Sequence, residues 1–200
     1  MIDAPIAEAH IHRRAHRVLG RQLAPLSLRH LLTLEALGSP LVIGRAAGPA
    51  VHPDEDTPLH YADIILAVDI CASTTEAQIN AVIDPPRSLR RRWRNRRLTR
   101  RPRAWWIAQC VQWQTYWDDH MVPPELLPVA GKKARHMQLP WQLIAVASLV
   151  HRGLSRDTAW WLPVGEALWL DLALADAAGA EYDLLTAERR ATLRSLGHQV

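Results

Sequence analysis

Apolar residues recur at helical spacing along most of the chain, and the breaks between runs carry helix-boundary chemistry. Ile6, Ala9, Ile11, Ala15, Val18 and Leu19 precede Gly20. This predicts a weakly amphipathic helix over 6–19 with a basic outer face. Pro25 breaks the chain. Ser27 is a candidate N-cap for a run with Leu28, Leu31, Leu32, Leu34 and Leu37. Gly38-Ser39-Pro40 ends that run, because Gly suits the left-handed position after a helix and Pro cannot continue one. Residues 44–58 hold two Gly, three Pro and Asp54-Glu55-Asp56, and read as a linker. Thr57-Pro58 then opens a helix with Ile64, Ile65, Ala67, Val68, Cys71 and Ala72 on its stripe, and Asp63 and Asp69 outside it. Thr74-Thr75-Glu76 starts another, which ends near Asp84-Pro85-Pro86.

A further helix opens at Trp105-Trp106. Trp106, Cys110, Trp113 and Trp117 follow at steps of four, three and four, making one aromatic stripe. Pro123-Pro124 and Gly131-Lys132-Lys133 mark the main linker. Beyond it Pro140-Trp141 begins a helix closed by Gly153, Ser155 caps a short one, and Pro163 leads one closed by Gly179. Thr186-Ala187-Glu188 starts the last, which stops at Gly197. No stretch keeps a period of two with β-branched residues. The predicted class is all-α: an irregular helical bundle of two small helical modules joined by a Pro-rich linker. Its parts are a basic N-terminal helix or arm over 1–25, a helical module over 26–121, the linker 122–138 and a C-terminal helical module over 139–200.

Composition narrows the class. Of 200 residues, 48% are hydrophobic and 22% charged, which excludes a wholly disordered chain. The apolar run 139–150 is too short to span a bilayer, and 162–180 is interrupted by Glu166, Asp171 and Asp176. The N-terminus lacks the basic-then-hydrophobic order of a secretory signal. Cys71 and Cys110 read as reduced, mostly buried thiols of a cytoplasmic protein.

Charge changes the picture more. The segment 87–103 carries ten arginines and no acid, and without it the net charge falls from +4 to −6. Such a segment needs an anionic partner, an acidic face or solvent. Arg90, Arg91, Arg92, Arg94, Arg96, Arg97, Arg100 and Arg101 are its candidate contacts to phosphate or to an acidic partner, because the planar guanidinium suits phosphates. Trp93 lies among them, able to stack on a base or to anchor the helix.

Nine tryptophans and no phenylalanine form the second unusual balance. Neither doublet, Trp105-Trp106 nor Trp160-Trp161, can bury both members on one helix face. One member of each is expected to face a groove or partner, so these four are the candidate protein-binding residues. An aromatic-rich helical surface also suits self-association. His10-x-His12-x3-His16 resembles a metal cluster, but three arginines surround it and no further ligand follows at useful spacing. It reads as a polar face. Glu166, Asp171 and Asp176 step around their helix and do not converge as an acid–base pair. There is no phosphate loop, Gly-x-Ser-x-Gly, His-Glu-x-x-His or dinucleotide fingerprint. The expectation is a non-catalytic protein with no cofactor and no membrane segment.

Two stretches carry a resemblance. One is Leu31-Leu-Thr-Leu-Glu-Ala-Leu-Gly38-Ser-Pro40-Leu. The other runs through Pro140-Trp141-Gln-Leu-Ile-Ala, Gly153-Leu-Ser155, Leu162-Pro163-Val-Gly-Glu166-Ala-Leu-Trp-Leu and Ala178-Gly179. They resemble the tail-assembly chaperones of tailed bacteriophages and prophages, over about a third of the chain. The resemblance implies a helical, non-catalytic protein in the host cytoplasm that coats the tape-measure protein and recruits tail-tube subunits. The ten-arginine segment is not part of that pattern. Its own composition favours the alternative function, nucleic-acid binding through 87–103.

Overall fold

The computed structural model describes residues 14–42, 61–84, 89–124, 139–179 and 187–195. Among them are nine helices and one two-stranded hairpin, an all-α architecture. Two compact units divide the chain. One is Arg14–Asp119, and the other joins Met1–Arg13 to His120–Val200.

The first unit opens on the hairpin, β1 (Arg17–Val18) paired antiparallel with β2 (Arg21–Gln22). The helix expected over 6–19 is absent from its described part, and residues 1–13 lie outside the described residues. Gly20 ends no helix here. Leu19 and Gly20, at φ 50° and 75°, form the two-residue turn whose positive angles match the twist of the strands. That angle is unfavourable for leucine. Its compensation is burial and a bond: the Leu19 N–H donates to Gln109 Oε1 at 2.6 Å.

Helix α1 (Leu28–Ala36) starts where Ser27 caps it. The Ser27 N–H donates to His30 Nδ1 at 3.2 Å. This leaves Nε2 as the protonated nitrogen, which donates to the Ser73 carbonyl at 2.8 Å. One buried histidine thus closes the cap and ties α1 to the turn between α2 (Tyr61–Cys71) and α3 (Glu76–Ile83). Thr75 caps α3, and Arg29 of α1 pairs with Glu76 at its start. Helices α4 (Leu89–Thr99) and α5 (Arg103–His120) follow.

The core of this unit is Val18, Leu26, Leu28, Leu31 and Leu34, the inner residues of α2, and the α5 stripe. Trp106, Trp113 and Trp117 are buried and Cys110 is half-buried. Tyr116 joins them, and its hydroxyl donates to the Ala24 carbonyl at 2.9 Å. Burial pushes the Cys71 thiol up from 9.0 to about 12, although a hydrogen bond with Tyr116 opposes it. Burial and the neighbouring Cys71 also push the Tyr116 phenol well above its usual 10.0. Both groups are therefore neutral in the fold. A folded value above the unfolded one means stability that is complete below about pH 9 and lost as pH rises towards 12. Urea melts should show about 2 kcal/mol of loss by pH 10.5, and Cys71→Ala should flatten that alkaline limb.

The second unit holds α6 (Trp141–His151), α7 (Arg156–Trp161), α8 (Val164–Ala177) and α9 (Ala187–Ser195). Ser155 caps α7 by accepting from the Thr158 N–H at 3.1 Å. Gly153 and Gly179 end their helices at φ 101° and 82°, where only glycine is unstrained. Helix α6 packs on α7 and α8. Asp171, expected on a solvated face, instead accepts from Ser148 Oγ at 2.5 Å, and Arg152 donates to its carbonyl at 2.9 Å. The expected linker 122–138 lies mostly outside the described residues, which resume at Leu139.

Candidate functional site

Helix α4 is the basic segment in three dimensions, and one acid upstream determines which way it faces. Asp69 sits in α2, in a run apolar enough to bury the helix on nearly every side. It does not lie outside the stripe as its spacing suggested. It is 3% exposed, and two arginines hold it. Arg94 grips it with two parallel bonds, Nη1 to Oδ1 at 2.9 Å and Nη2 to Oδ2 at 2.5 Å. Arg21 of β2 adds a third at 2.6 Å. The fork geometry of guanidinium on carboxylate makes this strong and directional. Arg94, expected among the contacts to an outside anion, is therefore committed to the fold.

With position 94 held on Asp69, the flank of the helix beside it stays open. Trp93, Arg96 and Arg97, spaced i, i+3 and i+4, share one face of α4, and Arg100 and Arg101 follow in the turn just past its end. Together they line an open cleft of about 710 Å³. Trp93 is 73% exposed. The Arg101 guanidinium also lies over the Trp105 ring, 5.5 Å from its centroid, which holds the end of the row in place. Among the described residues none of these four arginines forms an ion pair. Arg92 is exposed beside this face, and the side chains of Arg90 and Arg91 lie outside the described ones.

The tryptophan doublets divide by face. Trp106 and Trp160, expected among the partner-binding residues, are core: one is fully buried and the other nearly so. Trp105 and Trp161 are half-buried. The spacing of the doublets carried the division but not the direction. The indole most open to solvent is Trp93.

A second surface comes from α6. Its inner face, Gln142, Ala145, Val146 and Leu149, is buried. Its outer face is apolar too: Leu143, Ile144, Ala147 and Val150 are exposed, and Leu139, one turn earlier, is 61% exposed. A helix apolar on both sides is ordinarily enclosed, so the open stripe is unusual. It was hidden in the sequence because a doubly apolar helix reads as core.

No family model, no curated protein and no solved structure matches the chain. The two surfaces must be read on their own chemistry. Of the histidine cluster, His10 and His12 lie outside the described residues. His16 Nε2 sits 3.2 Å from Asp119 Oδ2, with its ring edge-on to Tyr116. Among the described residues no group of three His, Cys, Asp or Glu could hold a metal ion. No described helix is long and apolar enough to cross a membrane.

Proposed function

We propose that this chain is a non-catalytic binding protein that covers apolar helical stripes on a partner. The role is that of a phage or prophage tail assembly chaperone, or structural accessory, in the host cytoplasm. The observation that carries the reading is the open stripe of α6, Leu143, Ile144, Ala147 and Val150, with Leu139 exposed just before the helix. A tape-measure protein exposes apolar helical stripes until the tail tube encloses it. An apolar stripe of matching period can cover them by helix-to-helix contact. The half-exposed side chains keep the contact modest, which suits a partner that must later be displaced. The resemblance of residues 140–179 to tail-assembly chaperones falls on the same helices.

Co-expression with the tape-measure protein of its own tail, followed by a pull-down, tests the reading. The two proteins should co-purify. Leu143→Glu with Val150→Glu should lower capture by about tenfold or more, because a buried unpaired carboxylate costs a few kcal/mol. Both substitutions lie on the exposed face, so the circular dichroism spectrum should stay unchanged. No capture when both proteins are soluble would overturn the proposal. So would capture indifferent to the two glutamates.

A further inference from the structure

The geometry points to a binding site for single-stranded nucleic acid in the open cleft formed by α4 and the turn that follows it, with Trp93 as the base-stacking platform. This goes beyond the chaperone reading and stands on a separate surface. Three observations carry it. The first is the unspent charge: Arg96, Arg97, Arg100 and Arg101 line one cleft with no ion pair among the described residues. Like charges at i and i+4 repel, and a row of phosphates relieves that repulsion while releasing bound counterions.

The second is Trp93. An indole that is 73% exposed forgoes the burial that ordinarily holds this residue inside. Its face is free within the same cleft as the four guanidiniums. An unpaired base can stack there while its flanking phosphates meet the arginines. A duplex keeps its bases stacked on each other and offers the indole nothing. An acidic peptide would satisfy the charges but leave the ring idle.

The third is the division of labour among the arginines. Arg94 spends its charge on Asp69, which leaves Arg96 and Arg97 of α4 and Arg100 and Arg101 just past its end open to a ligand.

Fluorescence anisotropy with the full chain tests this, using a labelled 20-nucleotide oligothymidylate, a duplex of equal length and labelled poly-glutamate. The single strand should bind most tightly. Trp93→Ala should weaken it about tenfold, within the range seen when a stacking aromatic is removed. Trp93→Phe should retain most of the affinity. Replacing Arg96, Arg97, Arg100 and Arg101 with Ala should weaken binding and flatten the log–log salt dependence by about three, close to 0.7 for each phosphate no longer neutralised. All five side chains are at the surface, so the variants should keep the wild-type helical spectrum. The proposal fails if Trp93→Ala binds the single strand as the wild type does, or if the duplex binds as tightly. It also fails if poly-glutamate binds equally well, which would make this face a dock for an acidic protein.

Discussion

Replacing Asp69 with Ala should lower the stability of the first unit by about 3 kcal/mol, more than the loss of any charge on the outer face of α4. The carboxylate is almost fully enclosed, and it satisfies Arg94 and Arg21 at once. Its removal leaves two guanidiniums facing each other without a counter-charge. Breaking a buried pair costs about 3–5 kcal/mol, and the lower end applies because both arginines keep partial access to water. Arg94→Ala should be nearly as harmful, since it leaves the buried carboxylate with only Arg21. The double variant should be less unstable than the sum of the two, with a coupling of about 2 kcal/mol. Urea melts of the four proteins measure it. Strict additivity would mean that the pair does not hold α4 in place.

Trp106→Ala should cost about 3–5 kcal/mol, the range for truncating a fully buried aromatic. The ring is wholly enclosed, 4.5 Å from Tyr61 and edge-on to Trp105 at 5.2 Å. Alanine would open a cavity between α2 and α5. Trp106→Phe should cost far less, and the reason lies in the indole nitrogen. Nε1 is buried and finds no acceptor among the described residues. An unpaired buried donor is itself unfavourable by about 1–3 kcal/mol. Phenylalanine removes that liability while keeping most of the ring, so gain and loss partly cancel. Thermal melts of the two variants should differ widely. Similar losses for both would show that volume alone governs the position.

Much of the fold could be read from the chain because it is written in local chemistry. Ser27, Thr75 and Ser155 cap helices where their side chains suit it, and Gly38, Gly153 and Gly179 end them in the left-handed region. These choices depend on a few neighbouring residues. The hairpin escaped because two-residue strands show no alternation, and because Gly20 suits a helix stop and a tight turn equally well. What decides between them is Gln109, ninety positions away. Asp69 was misread for a related reason. On a helix with one apolar stripe an acid faces out, but the second half of α2 is buried on nearly every side, so the acid needs partners from elsewhere.

The same distance effect governs the site. Composition alone marked 87–103 as an intensely basic segment. It could not say which arginines are spent internally, since that depends on a carboxylate 25 positions before Arg94. The doublets fared similarly: helical geometry requires each pair to split, while tertiary packing decides which member turns inward. The α6 stripe was legible as apolar sequence but not as surface.

The Asp69 clasp also sets how α4 comes apart. None of the described side chains of α4 is fully buried, so little hydrophobic burial resists its opening. Among its described side chains, the helix has one ion pair with another helix, Arg94–Asp69. Its amides should therefore exchange with solvent through a local opening well below the free energy needed to unfold the Trp106–Trp117 core. Any polyanion that selects the ordered face adds its own binding energy to that local equilibrium, so occupancy of the basic face and order of the helix rise together.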